Sequence, residues 1–214
     1  MRASGIRIVA SCGMLSAILL FLNLAFGQAI PLTRQVGPST TNSFVSGSGF
    51  VTAASARAQT HKYSVLYSFT RADGDGAYPL AGLIQDVAGN LYGTTTSGGH
   101  QEGGTVFVVN RSGQEKILHS FGAEGDGVSP YAGLVQDAAG NFYGTTNGGG
   151  AYGYYGTVFV VSPTGQEKVL HSFGAEGDGA YNNAGLVQDA AGNLYGTTSN
   201  GGAYGYGTVF ELTP

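Results

Sequence analysis

The stretch that decides the fold is Asp137-Ala-Ala-Gly-Asn-Phe-Tyr-Gly-Thr-Thr146, which occurs three times in nearly identical form along the chain. The other two copies begin at Asp86 and Asp189, so the starts lie 51 and 52 residues apart. A fixed period of this length indicates tandem repeats, in which one unit alone cannot bury its apolar face. The chain therefore presents much the same surface three times, whereas catalysis usually needs one asymmetric site.

Each unit contains four short segments with the composition of β-strands. In the second unit these are residues 132–137, 142–146, 157–161 and 168–173. β-Branched and aromatic residues fill the segments, and Ala-Gly-Asn or Thr-Gly-Gln stands between neighbouring segments as a tight turn. A Gly-rich loop connects the second segment to the third. The pattern predicts an antiparallel meander of four strands in every unit.

No segment after residue 62 has helical periodicity, so the sequence predicts an all-β protein. Three four-stranded repeats resemble the blades of an open or incomplete propeller, although propellers usually have at least four blades. A β-trefoil or β-prism has the same strand count and is the alternative. Residues 65–69 are a lone copy of the fourth strand, which could complete the last sheet. Alternation places Val169, His171 and Phe173 on one face of the fourth strand.

The segments before the repeats differ from them in composition. Residues 1–29 combine a basic start, an apolar stretch and small residues suited to cleavage, which predicts a secretory signal peptide. Residues 30–62 are rich in Ser, Thr, Gly and Ala and are predicted to be a flexible linker. The three-repeat all-β domain then spans residues 63–214. The single cysteine, Cys12, lies in the signal peptide, so the mature protein is predicted to have neither thiol nor disulfide.

Charge and motifs argue for a binding or structural module. The formal net charge is −4, and it becomes more negative when Arg2 and Arg7 leave with the signal peptide. An acidic chain without a basic stripe is a poor partner for nucleic acid. No nucleophile elbow, phosphate loop or metalloprotease motif is present. We expect a protein that is secreted or held at the cell surface, does not contact the membrane after cleavage, and is not an enzyme.

Five tyrosines in the Gly-rich loops of the second and third units are the best ligand-binding candidates. A tyrosine offers a flat apolar face with a polar tip, which suits a sugar ring or a protein surface. The expected ligand is extracellular carbohydrate or a surface protein, and the alternative is that the tyrosines pack over adjacent loops. These residues are Tyr152, Tyr154, Tyr155, Tyr204 and Tyr206.

A Gly-rich loop in each unit carries two acids separated by one glycine. Such a pair resembles the start of a calcium loop, but the further ligands are missing, and a solvated Asp-Gly turn is the alternative. Calcium is the one cofactor that the sequence suggests. The pairs are Asp73 with Asp75, Glu124 with Asp126, and Glu176 with Asp178.

Two further repeated positions are interpreted as structural. His119 and His171 stand where the first unit has Tyr67, which favours aromatic packing over metal binding. The acids that open each copy of the repeated phrase precede a tight turn, where a carboxylate accepts backbone N–H groups. We therefore interpret Asp86, Asp137 and Asp189 as turn formers.

The order of these motifs resembles a known family. Gly-Asp-Gly, Ala-Gly-Leu-Val-Gln-Asp-Ala-Ala-Gly-Asn-Leu-Tyr-Gly-Thr-Thr and Gly-Gly-Ala-Tyr-Gly-Tyr-Gly-Thr-Val-Phe are similar to the GloVer (Gloeobacter/Verrucomicrobia) tandem repeat of choice-of-anchor bacterial surface proteins. The resemblance covers residues 63–214. It implies an exported bacterial protein with propeller-like repeats and no established activity. No sorting segment follows Pro214, so we do not carry over the anchor of those relatives, and we expect a freely secreted or shortened product.

Two other functions stay open at this stage. A propeller-type lyase or hydrolase acting on polysaccharide would use acids that converge near the axis of the repeats. A truncated repeat protein without independent activity is the second alternative, in which a homodimer could complete the ring.

Overall fold

The computed structural model describes the strand backbones of Ser43–Ser46 and Gly49–Thr52 and all of residues 61–214. The predicted signal peptide, residues 1–29, lies outside the described residues. Within the predicted linker, β1 (Ser43–Ser46) and β2 (Gly49–Thr52) pair as an antiparallel hairpin that the linker prediction did not include. The repeats form a separate compact unit, Tyr63–Pro214.

Seventeen strands follow in three successive repeats. The first repeat has β3 (Gly76–Ala77), β4 (Ile84–Gln85), β5 (Leu91–Thr95), β6 (Ser97–Gly98), β7 (Thr105–Val109) and β8 (Glu115–Ser120). The second has β9 (Gly127–Val128), β10 (Val135–Gln136), β11 (Phe142–Thr146), β12 (Gly148–Gly149), β13 (Thr157–Val161) and β14 (Glu167–Ser172). The third has β15 (Gly179–Ala180), β16 (Val187–Gln188), β17 (Leu194–Thr198), β18 (Asn200–Gly201) and β19 (Thr208–Leu212).

The strands confirm the predicted all-β meander. The main sheets have the orders β4-β5-β7-β8, β10-β11-β13-β14 and β16-β17-β19, and all neighbours are antiparallel. Three small ladders, β3 with β6, β9 with β12 and β15 with β18, join the Gly-Asp-Gly loops to the Gly-rich loops. No sheet closes into a barrel within the described residues, which fits an open propeller-like repeat rather than a closed trefoil. The same residues include no helix able to span a membrane.

The proposed closure by the N-terminal segment is wrong. Residues 65–69 form no strand, and the third sheet ends at β19 without another partner among the described residues. Phe69 instead packs edge-on against Phe107 of the first repeat, with ring centroids 4.9 Å apart. The segment therefore covers part of the first sheet, where its side chains lie against Leu91, Phe107 and Val109.

The repeated phrase folds as a hairpin held by its own side chains. Oδ1 of Asp137 accepts the backbone N–H of Asn141 at 2.8 Å, and Oδ2 accepts the Asn141 amide at 2.9 Å. The Tyr143 hydroxyl also donates to Oδ2, at 3.0 Å. Burial opposes ionisation of this carboxyl, but the hydrogen bonds outweigh it and hold the pKa of Asp137 below its usual range. Asp86 and Asp189 make the same bonds, which confirms all three as turn formers.

The two threonines that end the phrase have separate roles. Thr94 donates its hydroxyl hydrogen bond to the carbonyl of Ala132 in the next repeat, at 3.0 Å. Thr95 pairs with the hydroxyl of Thr105 on the neighbouring strand, at 2.8 Å. The second repeat repeats both contacts. One threonine thus links repeats and the other closes the hairpin within a repeat.

The prediction that Val169 and His171 share one face of the fourth strand is wrong, because the strand contains a β-bulge. In β14, His171 pairs with Val158 while Val169 pairs with Phe159, so Leu170 is an extra residue in the register. Because neighbouring strand residues point to opposite faces, the register puts Val169 and His171 on different faces rather than one. The first repeat has the same irregularity in β8. The bulge therefore places the histidine side chain on the face opposite that of Val169.

The hydrophobic core lies between consecutive repeats. Phe121, at the end of the first main sheet, packs its ring against Phe159 of the second, with centroids 4.8 Å apart. Tyr92 and Phe142 stack across the same junction at 4.4 Å. A second cluster joins the second and third repeats in the same manner; its buried members are Val158, Phe173, Leu186 and Leu194. Each repeat is thus stabilised mainly by its neighbours, as in other repeat proteins.

Candidate functional site

A polar cluster recurs where one repeat meets the next. Between the first and second repeats it contains His119 of β8, Asp126 of the Gly-Asp-Gly loop and Glu167 of β14. Nε2 of His119 lies 3.0 Å from Oδ2 of Asp126, and one ligand atom from each of the three residues lies within 4.8 Å of the others. We call this set the histidine triad. It joins an aromatic side chain, a loop aspartate and a glutamate of the following repeat.

The loop holds the aspartate of the histidine triad in a fixed orientation. Oδ1 of Asp126 accepts the backbone N–H of Gly127 at 2.6 Å, and Oδ2 accepts that of Gly122 at 3.3 Å. Only 5% of the Asp126 side chain is exposed, against 18% for His119. His119 also contacts the Phe121 ring edge-on, with centroids 4.6 Å apart. The imidazole therefore lies between the core and solvent, with one nitrogen directed at a buried carboxylate.

The glutamate of the histidine triad is partly buried and incompletely hydrogen-bonded. Oε1 of Glu167 is shielded from solvent and has no hydrogen-bond partner among the described residues. Burial raises the pKa of Glu167 to about 7; the nearby charge of Asp126 adds to this shift and His119 opposes it. A carboxyl with this pKa is about half protonated at neutral pH, and a nearby cation would favour its charged form.

Where the residues before β3 meet the first repeat, the same arrangement occurs with a phenol in place of the imidazole. The Tyr67 hydroxyl donates to Oδ2 of Asp75 at 3.0 Å. Burial and this hydrogen bond raise the pKa of Tyr67 to about 12. Glu115 has the place of the triad glutamate, and burial together with the charge of Asp75 raises its pKa to about 7. We call Tyr67, Asp75 and Glu115 the tyrosine triad.

The junction between the second and third repeats contains only two members of the cluster within the described residues. His171 Nε2 lies 2.8 Å from Oδ2 of Asp178, which also accepts the N–H of Gly179 through Oδ1. Sequence analysis correctly assigned His171 to aromatic packing, since its ring meets Phe173 edge-on at 4.6 Å. It did not find the aspartate partner, because the two residues meet only through the fold of the loop.

The acid pairs proposed for calcium divide into two environments. Each second acid, Asp75, Asp126 and Asp178, accepts hydrogen bonds from the glycine that follows it and contacts a tyrosine or histidine. The first acid of each pair is exposed; these are Asp73, Glu124 and Glu176. Calcium binding by the pairs stays a prediction.

The candidate tyrosines lie on the surface, as a binding role requires. Tyr154, Tyr204 and Tyr206 are the most exposed, at 78%, 89% and 92%. Tyr152 and Tyr155 lie beside Gly174, where an added Cβ would meet both side chains. Those two therefore also cover a neighbouring loop, which is the packing role given above as the alternative. The exposed rings of the third repeat make no aromatic pair among the described residues.

Sequence analysis missed three residues of these sites. Tyr181 lies with its ring centroid 6.0 Å from that of Tyr155 and extends the tyrosine surface of the second repeat. Glu115 and Glu167 complete the triads. The available signal was Gly-Gln-Glu-Lys, which occurs at both positions with the period of the repeat. A charged residue repeated on a strand suggests solvent exposure, and only the packing of the next repeat reveals its burial.

We predict that Glu115→Gln weakens the pH dependence of stability. Glu115 has a pKa of about 7 in the fold against 4.5 for an ordinary glutamate. Because the folded pKa is raised, its contribution to stability is complete below about pH 4.5 and is lost as the pH rises through about 7. Between acidic and mildly alkaline pH, the free energy of unfolding of the wild type should therefore fall by roughly 1 to 2 kcal/mol more than that of the variant, after allowance for partial exposure.

Urea unfolding followed by circular dichroism at several pH values between about 4 and 9 tests this prediction. A parallel variant at the exposed Glu124 controls for the loss of one negative charge. Identical pH profiles for wild type and Glu115→Gln would contradict the raised pKa.

These features define an all-β tandem-repeat protein whose hydrophobic cores and polar clusters both lie at the junctions between repeats. The chain belongs to the Gloeobacter/Verrucomicrobia repeat family, whose sequence model matches residues 38–214. The family resemblance seen in the repeats is thereby confirmed, and the match also includes the hairpin of β1 and β2. No curated protein matches the chain.

Proposed function

We propose that this protein is an exported bacterial binding module of propeller-like repeats, whose tyrosine loops bind extracellular carbohydrate or a surface protein. The loops are those between β12 and β13 and between β18 and β19. The signal-peptide pattern of residues 1–29 supports export. Carbohydrate is the ligand that the chemistry favours, since the loops combine exposed aromatic rings with glycine and few charges.

The exposure of the loop tyrosines carries this proposal. Tyrosine is intermediate in burial in folded proteins, yet Tyr204 and Tyr206 leave about nine-tenths of their surface in solvent. Their backbone is held at both ends by strand pairing of β18 and β19. Rigid rings on a fixed frame lose little conformational entropy when a ligand binds, which favours affinity.

The buried amide of Asn182 lies next in sequence to Tyr181, which extends the tyrosine surface of the second repeat. Asn182 directly follows Tyr181, is fully buried, and its side chain has no hydrogen-bond partner among the described residues. The corresponding positions in the other repeats are Pro79 and Pro130, so the repeat itself does not require an amide there. The residue type at this position thus changes beside Tyr181, and the first repeat, which has proline there, also lacks the loop tyrosines. This supports a role specific to this part of the chain.

A catalytic alternative has less support. The acids that a propeller lyase would use are engaged within their own hairpins: Asp86 and Asp137 each accept three hydrogen bonds, and Asp189 accepts four. A carboxylate so engaged is a poor proton acceptor for a substrate.

Affinity electrophoresis in gels that contain bacterial or plant polysaccharides tests the carbohydrate proposal. We expect retardation of the full chain by at least one polysaccharide, and loss of that retardation in a combined Tyr152→Ala, Tyr154→Ala and Tyr204→Ala variant. Alanine removes the ring and leaves the exposed backbone unchanged, so the fold should persist. Tyr63→Ala with Tyr131→Ala is the matched control, because both are exposed tyrosines outside the loops.

Retardation that survives in the triple variant would exclude the loops as the binding site. If no polysaccharide retards the chain and none is cleaved by it, a surface protein is left as the ligand class. Crosslinking to purified cell-envelope proteins, with the same variants, would then decide that case.

A further inference from the structure

We propose that His119, Asp126 and Glu167, the histidine triad, bind one divalent transition-metal ion at the junction of the first two repeats. The three side chains come from different elements, β8, the loop before β9, and β14. A metal there would connect two repeats that otherwise meet through apolar contacts and single hydrogen bonds. The tyrosine loops take no part in this site.

The distances suit a small metal ion. The ligand atoms around a tetrahedral zinc ion lie about 3.3 Å from one another, given bonds of about 2.0 to 2.2 Å. His119 Nε2 and Asp126 Oδ2 are already 3.0 Å apart, and the three ligand atoms lie within 4.8 Å of one another. Small side-chain rotations of Glu167 would complete the set. The backbone therefore needs little movement to accept the ion.

The unpaired oxygen of Glu167 points to a ligand because it lies beside an imidazole, whereas the same unpaired oxygen of Glu115 lies near a phenol. Oε1 of Glu167 is shielded from solvent without a hydrogen-bond partner among the described residues, beside the carboxylate of Asp126, whose side chain is 95% buried. Two carboxylates placed together away from water repel each other unless a proton or a cation is present. A divalent ion would compensate both charges and use the free oxygen.

The donor set selects the class of metal. One imidazole nitrogen with two carboxylate oxygens is a mixed set that suits Zn²⁺ or Mn²⁺ better than Ca²⁺, which takes six to eight oxygens. His119 is 18% exposed, so an ion has a path from solvent and can keep a water molecule. Oδ1 of Asp126 stays bonded to Gly127, which would orient the metal-binding oxygen.

The tyrosine triad and the pair of His171 and Asp178 provide internal comparisons. In the tyrosine triad the phenol of Tyr67 has a pKa of about 12 and stays protonated, so it is a poor ligand at neutral pH. The junction between the second and third repeats has His171 and Asp178 without a glutamate among the described residues. We therefore expect one site within residues 61–214. The comparison also shows that a tyrosine fits the position of His119 in this fold.

Isothermal titration of the full chain with Zn²⁺ tests the proposal, with Ca²⁺ as the comparison ion. We expect one Zn²⁺ per chain, a higher thermal midpoint with Zn²⁺ than with Ca²⁺, and tetrahedral absorption bands when Co²⁺ replaces Zn²⁺. His119→Tyr copies the tyrosine triad and should fold normally while its Zn²⁺ affinity falls by about 100-fold or more. Tyr67→His should add a second site, which raises the stoichiometry from one to two.

Glu167→Gln keeps the size of the side chain and removes its charge, and should weaken Zn²⁺ binding by about 10-fold or more. The remaining histidines, His61, His100 and His171, control for surface capture of zinc. If wild type binds no stoichiometric Zn²⁺, or if His119→Tyr and Glu167→Gln bind it as tightly as wild type, the site is not a metal site. Unchanged stoichiometry in a folded Tyr67→His protein would likewise count against it.

Discussion

Replacement of Phe159 by alanine is expected to lower the free energy of unfolding of the repeat unit by about 3 to 5 kcal/mol. Phe159 is fully buried in the cluster between the first two repeats and packs on Phe121 at 4.8 Å. Its ring also covers Gly144 on the neighbouring strand. Alanine would remove all of these contacts and leave a cavity that the surrounding strands, fixed by their hydrogen bonds, cannot fill.

Denaturant unfolding followed by far-ultraviolet circular dichroism measures this change, because the chain has no tryptophan to report by fluorescence. Phe210→Ala is the matched control. Phe210 has the same place opposite Gly196 in the third repeat but is only partly buried. Its loss should be clearly smaller. Equal losses at the two positions would show that the junction between the first two repeats is not the main source of stability.

Gly144→Ala is expected to destabilise the protein by about 1 to 3 kcal/mol, although glycine to alanine often stabilises a chain by reducing the freedom of its unfolded state. An added Cβ would lie 2.5 Å from Cζ of Phe159 and 3.1 Å from Cδ2 of Leu134. Both neighbours are buried, so neither can move aside without disturbing the core. The glycine of the Tyr-Gly-Thr-Thr phrase is thus required because an aromatic ring occupies the space of a side chain.

Gly82→Ala serves as the control for Gly144→Ala, since nothing lies within 4 Å of the added Cβ at Gly82. It should leave the thermal midpoint unchanged or raise it slightly. A loss of stability of the same size in both variants would mean that chain flexibility, and not the contact with Phe159, determines the need for glycine.

The strands that sequence analysis located correctly are those fixed by local chemistry. Phe142–Thr146 and Thr157–Val161 were predicted with their observed bounds, because β-branched runs and Gly-Asn turns act over a few residues. The role of Asp137 in its turn followed from the same short range, since all its partners lie within six residues. For the loop tyrosines the sequence left binding and packing as alternatives, and the structure exposes Tyr204 and Tyr206 most.

Features that depend on strand register and on contacts distant in sequence could not be predicted from the local strand pattern. The bulge at Leu170 changes the face of His171, and alternation alone predicted the wrong arrangement. Residues 65–69 look like a fourth strand, yet Phe69 finds its contact on Phe107 rather than in the last sheet. In the first case the register of β13 with β14 departs from simple alternation, and in the second the contact with Phe107 takes the place of strand pairing.

By itself, the sequence determined a tandem-repeat all-β chain with Asp, Gly and Asn in its turns, because turn and strand preferences act locally and recur with a fixed period. Only the tertiary structure decided which faces the repeats bury against each other, and that His119, Asp126 and Glu167 meet at one junction. Glu167 lies 41 residues beyond Asp126 in the chain. Their proximity results from packing one whole repeat on the next, and no local pattern records that contact.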